Sequence, residues 1–445
     1  MRLTLRGHLV ELLRLAAPVV VARTGILTMA TADIVMLGHY GAEDVAWYGI
    51  GVTPFIVLLL IGIGLLTGTL VMTSHARGAG RLADCGPVWR RSLPYALLIG
   101  LAGTVVSQFA EPFFLAVGIS PTIAVGGGAV TAIAGLALIP TLIHSNSTYF
   151  MEGLARPLPG MTVILVGNIL NILLNWLLIF GHWGVPEMGA EGAIAATSIV
   201  RCFMAIALSG YIWWLPGREA FGIRKPLEGG WWRGGGEQWR LGYAAGISQG
   251  VESAAFNSLT MMAGLLGPVA LASYSITLNV TALIFMLALG FGSATAVRVG
   301  AARGAGDHQG MVTAGWVGLG ATAVIMMVLG ILLWLLRGEA AALYTSQADL
   351  RIALPILFAI VALYLIPDGA QVVMTFALRG AGDAWVPTAI HLMSFFVVMI
   401  PAAWYLAFPM GLGVRGLVYS IALGAGAALV ALSLRFWLVT RVTDH

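Results

Sequence analysis

Twelve long apolar stretches run through this chain, and they constrain its fold more than any other feature. A helix that crosses a bilayer needs about 20 mostly apolar residues, because the hydrocarbon core is about 30 Å thick and a helix rises about 1.5 Å per residue. Only 9% of the 445 residues are charged, against about 25% in a soluble domain. The stretches are too long and too uniformly apolar for the alternating strands of a membrane β-barrel. The sequence therefore predicts an all-α membrane protein with twelve transmembrane helices. The predicted spans are residues 9–37, 47–72, 92–110, 123–150, 161–180, 192–214, 241–266, 270–297, 312–336, 352–378, 385–407 and 416–439.

The basic residues indicate how these spans are oriented. With the N-terminus inside, 18 of the 23 Lys and Arg residues fall on the cytoplasmic side, and only Arg337, Arg351 and Arg415 fall on the other. Arg23 and Arg201 lie inside predicted spans. Short loops rich in Lys and Arg stay in the cytoplasm, so both termini are predicted to be cytoplasmic. The net charge of +4 follows from this topology, and we expect no nucleic-acid partner.

The chain contains an internal repeat. Residues 36–80 align without a gap on residues 262–306, at an offset of 226 (262 minus 36). Both segments end in Ala-Arg-Gly-Ala-Gly, at 76–80 and at 302–306. Each half of the chain contains six predicted spans, so the repeat keeps its orientation across the membrane, as in transporters whose halves are related by an axis along the membrane normal.

A second echo of the repeat supports two equivalent halves. The Ile-Pro pair at 139–140 falls on the pair at 366–367, at nearly the same offset. Between the halves, residues 216–238 are rich in Gly, Pro and charge, which is typical of a linker. We therefore predict two pseudo-symmetric six-helix bundles, 1–215 and 239–445, that flank a central cleft.

Three acidic residues, Asp33, Glu252 and Asp368, lie inside predicted spans. An ionised side chain at mid-bilayer costs about 2.5 to 3.5 kcal/mol, and such groups mark ion pathways and proton relays. Tyr364 precedes Asp368 by one turn, so the phenol and the carboxylate share a helix face. We interpret these acids as a cation or proton site. A structural alternative is that Asp368 anchors a kink at Pro367, and that Glu252 is protonated and only packs.

The fifth span carries a polar stripe. Asn168, Asn171 and Asn175 recur at spacings of three and four, which places them on one helix face. That face must contact protein or water. Hydrogen bonding between helices, at about 0.6 kcal/mol per contact, explains the stripe nearly as well as an ion site does. For Arg23 and Arg201, structural pairing with an acid is the preferred interpretation.

The sequence contains no sign of an enzyme. It lacks a phosphate-binding Gly-Lys-Ser/Thr loop, so ATP bound to this chain cannot drive transport. His144 and His391 have no second ligand at a usable spacing, and Cys85 and Cys202 do not suggest a disulfide framework. We expect no cofactor and no metal apart from a coupling Na+ held by Glu252 and Asp368.

Several motifs together resemble the multidrug and toxic compound extrusion (MATE) family. They are Ala-Pro-Val at 17–19, Ala-Asp-Ile-Val-Met-Leu-Gly at 32–38 and Leu-Arg-Gly-Ala-Gly-Asp at 378–383. Glu252, twelve residues before Gly264, resembles the NorM-like bacterial branch. The resemblance covers essentially the whole chain. It implies a V-shaped transporter of twelve helices that alternates between inward-facing and outward-facing states.

The resemblance also implies which residues act. The cation site of the C-terminal half would consist of Glu252, Tyr364 and Asp368, and an N-terminal polar site would consist of Asp33, Asn171, Asn175 and Thr197. Asn175 stands where relatives of another branch have Asp, which favours the C-terminal site for coupling. Tyr274-Ser275 replaces the family's usual His-Gln pair, so the substrate does not follow from the family.

The function implied is secondary active efflux of organic, often cationic, compounds in antiport with Na+ or H+. We expect a monomer in the bacterial inner membrane, with small molecules, the coupling ion and lipid as its partners. The alternative is a lipid-linked oligosaccharide flippase. An Arg-rich cleft would favour this alternative, because the cargo is a pyrophosphate, whereas here the intramembrane acids outnumber the bases three to two. An intramembrane prenyl transferase would need clustered Asp residues for Mg2+, which the sequence lacks.

Overall fold

The computed structural model describes residues 5–227 and 229–442, and those residues form helices and turns without a β-strand. In chain order the α-helices are α1 (Leu5–Tyr40), α2 (Ala42–Gly78), α3 (Cys85–Ser107), α4 (Ala110–Ala116), α5 (Pro121–Leu136), α6 (Leu138–Gly153), α7 (Leu158–Phe180), α8 (Gly189–Trp213), α9 (Gly230–Arg233), α10 (Gly236–Leu265), α11 (Pro268–Gly304), α12 (His308–Leu335), α13 (Arg337–Tyr344), α14 (Ala348–Gly380), α15 (Trp385–Leu392), α16 (Ile400–Ala407) and α17 (Val414–Val442). A π-helical segment, Met393–Met399, joins α15 to α16.

The predicted all-α membrane fold is confirmed. Within the described residues, nine helices are long and apolar enough to cross a membrane, with Trp385–Ala407 counted as one helix. Two bent pairs also qualify, α3 with α4 at 47° and α5 with α6 at 43°. The remaining predicted span, residues 241–266, lies in α10, which has 30 residues and a length of about 45 Å. This helix is long enough to cross the bilayer but less apolar than the others, and it carries Glu252.

The helices reproduce the repeat that the sequence predicts. Helices α2 and α11 each have 37 residues, and their first and last residues differ by the offset of 226 found in the sequence. At an offset of 227, α14 corresponds to α5 and α6 together, and Trp385–Ala407 corresponds to α7. Helix α14 is one helix of 33 residues where the first half bends between α5 and α6. The two halves therefore share helix order and length, with a local difference in the fourth span.

The chain divides into two compact units. The N-terminal unit comprises Val21–Gly246, and the C-terminal unit comprises Ile247 onwards together with the residues up to Val20. The predicted bundles, in contrast, follow the order of the chain. The first turns of α1 group with the C-terminal unit, and the first turns of α10 group with the N-terminal unit. Both borders obey the repeat, since 246 minus 20 is again 226.

Segment 216–238 packs within the N-terminal unit where it is described. The Gly86 amide donates a hydrogen bond to the Phe221 carbonyl over 2.8 Å. The buried Gln238 amide donates to the Thr69 hydroxyl (3.2 Å), to the Val88 carbonyl (3.1 Å) and to the Ser92 hydroxyl. These bonds fix the start of α10 on α2 and α3. The role of segment 216–238 as a linker between two bundles stays a prediction.

Candidate functional site

The N-terminal unit assembles the predicted polar site around Asp33, which is 1% exposed. The amides of Asn175 and Asn171 donate to Oδ1 of Asp33 over 2.6 and 3.1 Å. The hydroxyls of Tyr48 and Thr197 donate to Oδ2, each over 2.7 Å. Helices α1, α2, α7 and α8 each contribute at least one of these side chains. All four residues predicted for this site therefore lie together.

Hydrogen bonds occupy the whole carboxylate of Asp33. An ionised carboxylate offers about four lone-pair positions, and four donors fill them here. A cation could bind Asp33 only if one or more of these donors turned away. The geometry therefore stabilises a buried negative charge through neutral donors, which is the structural alternative for the asparagine stripe.

Tyr48 also belongs to this site, although it was not among the predicted site residues. The signal was present in the repeat, because Tyr48 aligns with Tyr274 at the offset of 226. Tyr274 is completely buried, yet its hydroxyl has no hydrogen-bond partner within the described residues. The two equivalent tyrosines thus have different surroundings, and only Tyr48 contacts a carboxylate.

The C-terminal unit places Tyr364 and Asp368 on one face of α14, as predicted. Both are buried, with 1% and 8% of their surfaces exposed. The Tyr364 hydroxyl lies 2.9 Å from the Thr281 hydroxyl of α11. Pro367 has no N–H to donate within the helix, although α14 continues through it without a break. Asp368 therefore lies in a continuous helix, one turn beyond a hydrogen-bonded phenol.

Glu252 completes this predicted site from α10. It interacts electrostatically with Asp368 and with Arg379, which lies near the end of α14. Arg379 follows the predicted span 352–378 on the predicted cytoplasmic side, and its side chain is buried, with 4% of the residue exposed. Two acids and one arginine give the group a net formal charge of −1. We call Glu252, Tyr364, Asp368 and Arg379 the acidic site.

Further polar side chains lie next to the acidic site. Gln371 lies beside Asp368 and hydrogen-bonds the imidazole Nε2 of His391 over 3.0 Å. The other ring nitrogen, Nδ1, lies 2.7 Å from the Ser248 hydroxyl on α10. Both ring nitrogens of His391 are thus in use within the protein. The imidazole links α10, α14 and α15, and it holds α10 in register with the helix that carries Asp368.

The two sites differ in what they can bind. Carboxylate and hydroxyl oxygens are suitable ligands for a hard cation, and a carboxylate can alternatively take a proton. The acidic site contains two carboxylates and one arginine. One negative charge therefore remains, which one Na+ or one H+ would neutralise. The carboxylate of Asp33, in contrast, already accepts four hydrogen bonds. The coupling role of either site stays a prediction, and the geometry favours the acidic site.

The two intramembrane arginines that the sequence singled out lie in the N-terminal unit. Arg23 pairs with Glu152 over 3.6 Å. Arg201 donates to the Thr141 hydroxyl over 3.1 Å and lies over the Phe55 ring. The predicted pairing with an acid is thus found for Arg23. Glu152, a buried acid near the end of α6, was missed because it lies beyond the predicted span.

The chain is similar to a large set of known proteins. Residues 18–177 and 244–405 match the model of the MatE family. A protein named "Probable multidrug resistance protein NorM" from Caulobacter vibrioides is 38% identical, over 96% of this chain and 91% of that protein. "Multidrug resistance protein NorM" from Burkholderia vietnamiensis is 32% identical, over 98% of this chain and 95% of that protein.

A solved structure supports the fold. The crystal structure of the eukaryotic MATE transporter AtDTX14 matches with a TM-score of 0.89, over 98% of each chain. The sequences are only 19% identical, so this match concerns the arrangement of helices alone.

Proposed function

This chain belongs to the MatE family of membrane transporters, and from that premise we propose that it exports organic, often cationic, compounds in antiport with Na+ or H+. The relatives named above are multidrug resistance proteins by name, and the chain covers nearly their whole length. The observation that carries the coupling proposal is the acidic site, in which two carboxylates and a phenol lie within one compact unit of membrane helices.

The coupling follows from differential affinity. A ligand shifts a conformational equilibrium only by the difference between its affinities for the two states. Binding of Na+ or H+ neutralises the excess negative charge of Glu252 and Asp368, so it favours the arrangement of helices in which these carboxylates bind the coupling ion more tightly. A cationic substrate is attracted to the same charge. Substrate and coupling ion therefore exclude each other, which is the requirement for antiport.

The test is efflux of preloaded ethidium from de-energised cells that express the protein. External Na+ and an acid pulse are applied separately as triggers. We expect one trigger to start efflux, and we expect Asp368→Asn to abolish it, because the amide can neither release a proton nor supply a negative charge. Comparing the two triggers names the coupling ion.

The matched control is Asp349→Asn, since Asp349 lies in the first turn of α14, on the same helix but outside the acidic site. The control should export ethidium at the wild-type rate. Normal efflux from Asp368→Asn, at an equal amount of membrane-inserted protein, would contradict the coupling role of the acidic site.

The alternative function, a lipid-linked oligosaccharide flippase, has less support. The relatives are named for drug resistance, and the acidic site carries a charge that repels a pyrophosphate. Failure of ethidium efflux under both triggers would move support towards a flippase or a narrow-substrate exporter.

The chain is a multi-pass membrane protein, and we propose that it lies in the bacterial inner membrane as a monomer with both termini in the cytoplasm. The distribution of basic residues, 18 on the proposed cytoplasmic side against three on the other, supports this orientation.

A further inference from the structure

We propose that the N-terminal unit contains a binding site for a carboxylate, formed by Arg23, Arg201 and His144 around a cavity of about 60 Å³. All residues that line this cavity belong to the N-terminal unit. The carboxylate is either a free small anion or the acid group of an exported compound. The second source rests on the proposed function.

The charges around the cavity do not balance. Two arginines and a single acid, Glu152, line it, which leaves a net formal charge of +1. Glu152 pairs with Arg23 over 3.6 Å. Arg201 has no ion pair within the described residues. It donates to the Thr141 hydroxyl, lies over the Phe55 ring and interacts electrostatically with Asp33, which does not line the cavity. A charge without a directly paired counter-ion is costly among membrane helices, and an anion bound in the cavity would pair with Arg201 directly.

Polar atoms at the cavity also lack partners. Nε of Arg201, Nε2 of His144 and Oγ1 of Thr148 are buried and have no hydrogen-bond partner within the described residues. His144 and Thr148 are 4% and 8% exposed. Burying a polar group without a hydrogen-bond partner is destabilising. Three such groups around one cavity, with a cationic guanidinium among them, point to an acceptor of negative charge as the ligand.

The internal repeat gives an independent argument. At the offsets of 226 and 227, the residues around this cavity occupy the positions that form the acidic site in the other half. The residues that line the cavity have a net formal charge of +1, whereas the acidic site has −1. The corresponding residues, N-terminal half first, are Ile26 with Glu252, Thr141 with Asp368, His144 with Gln371 and Glu152 with Arg379. Equivalent places in the two halves thus hold the acidic site and this cavity, and the positions of Glu252 and Asp368 hold the uncharged Ile26 and Thr141.

The size of the cavity limits what can bind. Pockets for drug-sized molecules occupy roughly 300 to 1,000 Å³, whereas this cavity has about 60 Å³. It can hold one carboxylate group, with the rest of a larger ligand outside. The planar guanidinium of Arg201 matches a carboxylate in geometry and charge. A pyrophosphate head group is too large for the space and carries more charge than the site can neutralise.

The test measures equilibrium binding of benzoate to the purified full-length protein in lipid nanodiscs, with benzamide as the neutral probe of the same shape. We expect benzoate to bind and benzamide not to bind. Arg201→Gln should weaken benzoate binding about tenfold or more, because it removes a charged hydrogen-bond donor. Equal binding of the two probes would overturn the proposal, as would wild-type benzoate affinity in Arg201→Gln.

The matched control is Arg224→Gln. Arg224 lies 5.2 Å from the centre of the Trp213 ring, much as Arg201 lies 5.0 Å from that of Phe55, but it is exposed. The control removes one arginine and one ring contact of the same unit, and it should bind benzoate as the wild type does. Weakening as large as in Arg201→Gln would show a nonspecific charge effect and contradict the site.

A second variant tests the opposite direction and keeps the proposal falsifiable if Arg201→Gln does not fold. Glu152→Gln removes the single acid and raises the net charge of the site. Benzoate should then bind more tightly, by about tenfold or less. Unchanged or weaker binding in folded Glu152→Gln would overturn the proposal.

Two further measurements separate the sources of the carboxylate and the two proposals. If the cargo supplies the carboxylate, a carboxylate-bearing exported compound should compete with benzoate and its amide should not. If a free anion fills the site, acetate should compete with benzoate. Neither the carboxylate-bearing compound nor its amide should then compete with benzoate. Binding needs no ion gradient, so failure of ethidium efflux with intact benzoate binding contradicts the exporter alone. Efflux without benzoate binding contradicts the carboxylate site alone.

Discussion

At the scale of single residues, this protein buries carboxylates in two different ways. Asp33 accepts hydrogen bonds from four neutral donors that converge on it. Glu252 instead interacts with Asp368 and with Arg379. The first arrangement satisfies a fixed charge, and the second leaves a net charge that an ion can neutralise. The same residue type therefore serves stability in one half and, by our proposal, coupling in the other.

The network around Asp33 leads to a prediction about stability. Tyr48→Phe removes one of the four donors without changing the shape of the side chain. Because a hydrogen bond to a charged group contributes about 1.5 to 3 kcal/mol, the free energy of unfolding should fall by about that amount. Thermal or denaturant unfolding of the purified protein in detergent measures the change.

The matched control for this prediction is Tyr40→Phe. The Tyr40 hydroxyl also contacts a carboxylate, that of Glu187, but over 3.4 Å and on an exposed residue. Its removal should change the free energy of unfolding by less than about 0.5 kcal/mol. Equal effects of the two substitutions would show that the Asp33 network contributes nothing special.

At the scale of helices, glycines determine how closely α10 approaches α2 within the N-terminal unit. A Cβ atom on Gly68 would overlap the carbonyl oxygen of Gln238, and one on Gly64 would lie 2.7 Å from Cα of Gly246. These are contacts with backbone atoms, which cannot turn away as a side chain can. Only residues without a side chain allow the start of α10 to lie against α2.

This packing predicts that Gly68→Ala destabilises the protein. Overpacking costs about 1 to 3 kcal/mol, and the better helix propensity of alanine offsets up to about 1 kcal/mol of that. Gly49 is on the same helix with open space around it, so Gly49→Ala should be neutral or stabilising. Unfolding in detergent compares the two variants. Equal stability of both would contradict the close approach of α2 and α10.

At the scale of the whole molecule, two helices belong to both compact units. The border in α1 lies after Val20 and the border in α10 lies after Gly246. Any change in the arrangement of the units during transport must therefore be absorbed within these helices. Pro18 lies two residues before the border in α1, where it removes one helical hydrogen bond.

The position of Pro18 predicts an effect on transport rate. Pro18→Ala restores the missing hydrogen bond and stiffens α1, so ethidium efflux should slow severalfold while the amount of inserted protein stays the same. Pro54→Ala is the control, because Pro54 also lies inside a helix, α2, that belongs to one unit only. Equal rates for Pro18→Ala and the wild type would show that α1 does not need this flexibility.

The sequence by itself determined the membrane class, the twelve spans and the repeat, because these depend on local apolar length and on identity between two halves. It also named Asp33, Asn171, Asn175 and Thr197, which the structure brings together. The tertiary structure alone identified the partners of Asp33, Glu252 and Arg23, since Tyr48, Arg379 and Glu152 lie on other helices or beyond the predicted spans. It alone showed that Glu152 and Arg379, which are equivalent in the repeat, are both buried, because burial depends on side chains that converge from helices distant in sequence.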